Sequence, residues 1–413
     1  MTRSPLPNPR RLIIRALAQM ERNPAAVSQS ILRTLLDGPD ARSIDDRDRG
    51  LITECFYGVL RWRLRLDGLV ARHAKKGVPS DPELANILRL GIYQLLFLDR
   101  VPAHAAIHTA VSLAKKTRGE RVARFVNGVL RTIDRERDVP SDLGERWGHP
   151  AWMVARFRQE ASDDESVLEA RLRANMTSPP LTLRLHPSEK ADAIPASRPS
   201  THMPHVVVVK EHAAILREGI RSGRWLPQDE ASARVVHFLD PQPGDRVLEL
   251  CAGRGVKTTQ LADAVGPTGW VVSVDLSPGR LREARRLLAR WAPTVPVHFV
   301  VADATRTLPL DPSVRFDRIL IDAPCTGLGV IRRRPEIVWR RQESDVNTMA
   351  TLQRQLIEQA CQWLVPGGDM VYSVCTTTPE ETTHVVGDRA TDVLRTTPGT
   401  DDSDGFYAAK LSL

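Results

Sequence analysis

Two of the five cysteines stand where a thiol could do chemistry. Cys325 lies in ILIDAPCTGLG, three residues past Asp322, and Cys375 lies in MVYSVCTTTPEE; each follows a stretch that reads as a buried strand. A single buried cysteine is usually inert packing. Two at adjacent strand ends, beside an acid and a nucleoside pocket, suggest more. A thiolate that adds to carbon 6 of cytosine turns the ring into an enamine, and carbon 5 of that enamine can attack a sulfonium methyl group. A base must then remove the proton from carbon 5 before the thiol can leave. A neighbouring carboxylic acid or cation assists by polarising N3 and the exocyclic amine. Cysteine, acid and methyl donor are the minimal set, and spacing leaves open which sulfur attacks.

The nucleoside pocket is read from Glu249–Ala262, ELCAGRGVKTTQLA, where a strand runs through Gly253 and Gly255 into a helix. Glycines there permit a tight turn and a close approach to a ligand at the helix start. Such turns are common in α/β proteins, so the loop alone is weak evidence. Asp275 ends the next strand, 20 residues past Gly255, a placement suited to accepting both ribose hydroxyls. NAD and S-adenosylmethionine fit that pattern equally. Asp303 ends a third strand, where it could accept from an adenine amino group or simply cap a turn.

The elements that must position these residues alternate from Pro241 onward. Strands are expected in RVLELC, WVVSVD, VHFVVAD, RFDRILID and DMVYSVC, and helices in GVKTTQLADAV, PGRLREARRLLARW and about 345–364. Such alternation predicts a parallel, doubly wound sheet with ligands at the carboxyl ends of its strands. Residues 10–140 read instead as a helical bundle, with helix starts at Asp45–Asp46 and Asp81–Pro82 and with Trp62, Tyr93 and Phe97 in the core. Residues 145–235 mix a helix, PAWMVARFRQE, with strand candidates PLTLRLHP and HVVVVK and turn-rich links such as IPASRPSTHMP, a small mixed subdomain.

The 413 residues suit two or three domains. No run approaches a membrane span, and the N-terminus lacks the apolar core of a signal peptide. The cysteines form no CxxC pair, which argues against a zinc site or disulfide scaffold and suits a reducing cytoplasm. Of the net charge of +8, residues 1–140 carry the whole excess, with 25 Lys+Arg against 15 Asp+Glu; the rest has 33 against 35. That asymmetry fits a polyanion-binding N-terminal module, or a solvated basic face. Arg332, Arg333, Arg334, Arg340 and Arg341 flank the cysteine site and are expected to contact phosphate.

On these motifs the chain resembles the RNA 5-cytosine methyltransferase family. DAPCTGLGVIRRRPEIVWR, SVCT and LPQDEASARVVHFLDPQPGDRVLELCAGRGVKT are similar to its catalytic signatures, and RANMTSPPLTLRL to its small RNA-binding subdomain. DRGLITECFYGVLRWRLRLD and RFVNGVLRTIDRE are similar to an N-terminal domain with the helical fold of the antitermination factor NusB. The resemblance implies a multidomain α and α/β protein: a NusB-like RNA-binding bundle (1–140), a small α+β RNA-binding subdomain (145–235) and a Rossmann-like S-adenosylmethionine-dependent methyltransferase domain (236–413). It implies Cys375 as nucleophile, Cys325 as the cysteine that helps release product, and Asp322 and Lys257 at the cytosine. Cys251, Ala252, Gly253, Arg254, Gly255, Val256 and Lys257, with Asp275, Asp303 and Asp322, would hold S-adenosylmethionine. The expected partner is 16S ribosomal RNA of the small subunit, bound by a cytoplasmic monomer. The family's usual Ala-Pro-Gly-Gly-Lys is replaced here by Gly253, Arg254, Gly255, Val256 and Lys257. The stretch 382–400 is short for the penultimate helix, so the last strands are expected to be abbreviated.

Two other readings differ in consequence. A NusB-type assembly factor with a decayed catalytic domain would bind RNA and no S-adenosylmethionine. An NAD oxidoreductase would leave both cysteines without purpose.

Overall fold

The computed structural model describes residues 8–412 apart from 42, 138, 191, 193, 195 and 210–213. The first seven residues, on which part of the signal-peptide reading rests, Asp138, Pro195 of the turn-rich link and the final Lys210 of HVVVVK lie outside the described residues. The chain divides into two compact units, one of residues 1–177 with 331–341 and the other of 178–330 with 342–413. The stretch 145–235, read as one subdomain from sequence, is therefore shared between them.

The first unit is helical: α1 (Pro9–Arg22), α2 (Ser28–Asp37), α3 (Asp46–His73), α4 (Pro82–Phe97), α5 (Ala103–Arg118), α6 (Glu120–Glu136), α7 (Leu143–Arg146), α8 (Ala151–Glu160) and α9 (Glu165–Asn175). The start signals act as expected. Asp45 caps α3 by accepting from the Asp48 amide at 2.8 Å, and Asp81 caps α4 by accepting from Glu83 at 3.2 Å, with Pro82 in its first turn. Apolar stripes of α1 and α3–α6 form one core that includes Ile13, Leu17, Phe56, Leu88 and Leu130. Tyr93 is buried in it, stacked on Phe97 with centroids 5.2 Å apart, and Phe97 stacks on Trp62 at 4.6 Å. α3 approaches α4 so closely at Gly58 that a Cβ there would lie 2.0 Å from the Tyr93 ring.

Residues 331–341 belong to this unit and overturn part of the phosphate expectation. Arg340 donates to the carbonyls of Met20 (2.5 Å), Asn23 (3.1 Å) and Ala26, closing the end of α1. Arg63 lies over the Trp339 ring at 4.2 Å, and buried Glu336 accepts from the Ser28 amide at 3.3 Å. Arg332 is buried too, its carbonyl accepting from Arg61. Arg340 is thus a tethering group, because unsatisfied helix-end carbonyls are strong acceptors for guanidinium, and Arg332 is buried rather than displayed.

The second unit holds two sheets. The smaller is antiparallel, built from β1 (Leu181–Leu185), β2 (Ser197–Pro199), β3 (Val206–Val209) and β4 (Trp225–Pro227) in the order β2-β3-β1-β4, with helix α10 (Ala214–Ser222) beside it. Arg184 of β1 ties it to the larger sheet's helices: it donates to Gln228 at 2.8 Å and Asp263 at 2.9 Å and lies over the Trp291 ring.

After α11 (Glu230–Leu239) comes the larger sheet: β5 (Arg246–Leu250), α12 (Val256–Val265), β6 (Trp270–Asp275), α13 (Pro278–Trp291), β7 (Val297–Val301), β8 (Phe316–Asp322), α14 (Ile337–Arg340, in the first unit), α15 (Ser344–Cys361), β9 (Leu364–Val374), α16 (Thr383–Val386), β10 (Ala390–Thr396) and β11 (Phe406–Leu411). Its order is β10-β11-β9-β8-β5-β6-β7. β5 to β9 pair in parallel, whereas β11 pairs antiparallel with both β9 and β10. The all-parallel expectation is corrected at this edge: the turn at 397–405 leaves no room for a crossover helix, so the last two strands form a hairpin. The penultimate helix is indeed cut to the four residues of α16, but β10 and β11 have seven and six residues and are not abbreviated.

Candidate active site

Strand order reverses at β5, between β6 and β8, and every residue singled out for chemistry lies at the carboxyl ends of these strands or of β7 and β9. A crevice at such a switch point is where open α/β sheets bind ligands.

The glycine loop is built by left-handed backbone. Cys251, Gly253 and Gly255 have φ of 63°, 60° and 80°, and Gly255 is the residue before the first turn of α12. A Cβ on Gly255 would lie 2.8 Å from that of Ala284, so α12 and α13 can meet only over a glycine. The loop is clamped by Asp275 at the end of β6: its Oδ2 accepts from the Gly253 amide at 2.9 Å and its Oδ1 from the Ser277 amide at 2.8 Å. Ala252 donates to the Val274 carbonyl at 3.0 Å. Burial pushes the Cys251 thiol well up, so it is a neutral packing group at the loop's start. Arg254, in place of the family's proline, pairs with Glu283 of α13 at 3.1 Å. Val256 packs against Leu226, Leu287 and Trp291.

Beneath the loop lies Glu249, which sequence reasoning did not single out. Its side chain is fully buried, and Oε2 accepts from Thr258 Oγ1 at 2.5 Å and Ser273 Oγ at 2.7 Å. Burial raises its carboxyl to about 7. A glutamate in an otherwise apolar strand, VLEL, was the available signal. Asp303, beyond β7, accepts from the amide and hydroxyl of Thr305 at 3.0 and 2.7 Å, a local turn that holds its carboxyl below the usual range. That is the turn-capping arrangement weighed against the adenine contact, and its second oxygen is 3.5 Å from Arg306.

At the end of β8 Asp322 accepts from the Lys257 ammonium at 2.8 Å and from Ser373 Oγ at 3.1 Å. Lys257, on the first turn of α12, is nearly buried and also lies over the Phe406 ring. The two cysteines meet: Cys325 Sγ and Cys375 Sγ are 3.2 Å apart. Both are half-buried, open enough to be reached and shielded enough to be desolvated. Cys375, hydrogen-bonded to Cys325, is the first cause that pushes the Cys325 thiol well up, followed by burial. A second residue missed from sequence, Glu381, sits buried under both cysteine-bearing loops and accepts from Thr326 and Thr378.

Among the described residues no cluster of His, Cys, Asp and Glu could hold a metal ion, and no helix is long and apolar enough to cross a membrane.

Residues 236–392 match the family model for 16S rRNA methyltransferase RsmB/F, and residues 7–135 match the NusB family. Over 395 residues the chain is 31% identical to the probable ribosomal RNA small subunit methyltransferase B of Bacillus subtilis, covering 91% of this chain and 87% of that one. It is 33% identical over 439 residues to the ribosomal RNA small subunit methyltransferase B of Pseudomonas putida, covering 98% of each. The crystal structure of PH0851 has the same fold, with a TM-score of 0.82, 22% identity and 99% of each chain covered. With a NusB-like helical unit preceding a Rossmann-like sheet, and this similarity running through nearly its whole length, the chain belongs to the 16S rRNA methyltransferase RsmB/F family.

Proposed function

We propose that the chain methylates carbon 5 of a cytosine in 16S ribosomal RNA, with S-adenosylmethionine as methyl donor and Cys375 as covalent nucleophile. The observation that carries this reading is the 3.2 Å approach of Cys325 and Cys375 on the strand ends that also present the Lys257–Asp322 pair. Lys257, Asp322, Cys325 and Cys375 are the catalytic set.

The loop fits a nucleoside sulfonium: three left-handed residues keep its backbone bare, and Asp275 fixes its shape. Residues 251–257, with Asp275, Asp303 and Asp322, would hold S-adenosylmethionine, which when bound supplies an electrophilic methyl group. Arg254 is drawn toward α13 by Glu283, which supports a working loop over a decayed one.

The chain's own residues do the rest. The Cys375 thiolate bonds to carbon 6, and the electron pair of the 5,6 double bond becomes available at carbon 5. Lys257 and Asp322 polarise N3 and the exocyclic amine. Carbon 5 uses that electron pair to bond to the methyl group and then gives its proton to a base; the carbon–hydrogen pair re-forms the 5,6 double bond while the sulfur–carbon 6 pair leaves on the Cys375 thiolate, with Cys325 assisting departure. In this scheme residues 1–140 and 145–235 bind the RNA and 236–413 carry the chemistry, in a cytoplasmic monomer.

The test separates the cysteines. Cys375→Ala should abolish turnover while RNA still binds. Cys325→Ala should stall as a protein–RNA adduct that survives denaturation, and the double variant should form none. An adduct with Cys375→Ala and none with Cys325→Ala would exchange the roles. Methylation intact in both single variants, with no adduct, would refute the covalent reaction.

A further inference from the structure

The loops that carry the cysteines leave different strands, so something must hold their sulfurs at working distance. Backbone bonds make part of the link: the Ala323 amide donates to the Ser373 carbonyl at 2.9 Å and the Gly329 amide to the Cys375 carbonyl at 3.0 Å. The rest converges on one fully buried acid. Glu381 Oε2 accepts from the Thr326 amide at 2.9 Å and from Gln353 Nε2 at 3.0 Å, and Oε1 accepts from the hydroxyls of Thr326 and, at 3.1 Å, Thr378. Thr326 follows Cys325 directly, and Thr378 is three residues past Cys375. Gln353, on α15, also donates to the Pro324 carbonyl at 2.9 Å, and Tyr372 on β9 donates to the Glu381 carbonyl at 2.7 Å.

We propose that Glu381 is a positioning residue for methyl transfer, a buried four-fold acceptor that clamps the Cys325 and Cys375 loops together and places a negative charge behind Cys325. The inference rests on the reading that the two cysteines act as a pair. An ionised carboxylate accepts from all four; a glutamine keeps the shape but removes the charge, and its NH2 group fits only the side of the two hydroxyls, which must then turn round to accept. Burial pushes the Glu381 carboxyl up, while the donors from Thr326, Gln353 and Thr378 oppose that rise. The charge in turn adds to the causes that push the Cys325 thiol up. Glu381 touches neither sulfur in this scheme; it acts through Thr326 and Thr378.

The experiment compares Glu381→Gln with the parent, as full-length protein acting on 16S RNA. Expected are a fall in kcat of at least about tenfold, with KM for RNA and the Kd for S-adenosylmethionine unchanged within about twofold. Peptide-resolved alkylation against pH should also show Cys325 reacting at lower pH than in the parent, since a like charge has been removed. A scaffold residue would move neither the split between kcat and KM nor that midpoint. Native kcat in a folded Glu381→Gln protein overturns the proposal. If that variant does not fold, Thr326→Val and Thr378→Val each delete one hydroxyl donor and keep the acid. They should lower kcat in the same KM-sparing way, and native kcat in both overturns it equally. Should Cys375→Ala retain methylation, the covalent reading itself fails; dependence on Cys375 without dependence on Glu381 sinks the clamp alone.

Discussion

Glu249→Gln should make the protein more stable above neutral pH and flatten its pH dependence. The carboxyl of Glu249 is fully buried under the glycine loop, with Thr258 and Ser273 donating to one oxygen and no partner for the other among the described residues. Desolvation is the largest cause lifting it from 4.5 to about 7, and those two hydroxyls oppose the lift. Below about pH 4.5 the acid is protonated in folded and unfolded chain alike, and its contribution is fully present. As pH rises towards 7 the unfolded chain ionises while the folded one keeps its proton, so stability falls; above 7 both are ionised and the loss is complete. At 1.36 kcal/mol per unit, a lift of roughly 2.5 units corresponds to a loss on the order of 3 kcal/mol. Glutamine is isosteric, and the hydroxyls of Thr258 and Ser273 can rotate to suit its oxygen or its amide. Urea unfolding of both proteins, followed by fluorescence between pH 5 and 8.5, reads the difference directly. The two stability curves should diverge by most of that amount between pH 5 and 8. Parallel curves would mean that Glu249 is ionised in the folded protein throughout, and the burial argument would be wrong.

Asp275→Ala removes the acceptor for the Gly253 and Ser277 amides as well as the expected ribose contact. Calorimetry should show S-adenosylmethionine binding weakened by at least about 1.5–3 kcal/mol, and unaltered affinity would place the ribose elsewhere. Arg340→Ala removes the guanidinium donor to three carbonyls around the end of α1, of which Asn23 keeps the Ala26 amide, and should cost on the order of 2–3 kcal/mol of stability, seen by thermal melting, with little change in RNA affinity. A loss of RNA affinity without loss of stability would restore the phosphate role. RNA affinity of the intact chain should fall steeply with salt, and deleting residues 1–140 should weaken RNA binding far more than S-adenosylmethionine binding. Unchanged RNA affinity on deletion would make the helical unit a scaffold.

What the sequence determined by itself was local. WVVSVD and PGRLREARRLLARW coincide with β6 and α13 because strand and helix periods are written in consecutive residues, and Asp45 and Asp81 cap their helices by contacts two or three residues away. Glycines at 253 and 255 announced a tight turn for the same reason, and the structure makes it with left-handed backbone. The pairing of distant segments was legible only in part. Alternating strands and helices implied a parallel sheet, but the antiparallel hairpin of β10 and β11 depends on how much chain separates them and on where β9 lies. The arginines of 332–341 read as a basic loop, and only the fold revealed that Arg340 finds carbonyls more than 300 residues away in sequence. Cys325 and Cys375 could be placed on strand ends but not brought to 3.2 Å, and Glu381 could not be found at all. A carboxylate's role is set by which donors surround it and by how much water is excluded; both are properties of packing, assembled from segments the chain keeps apart.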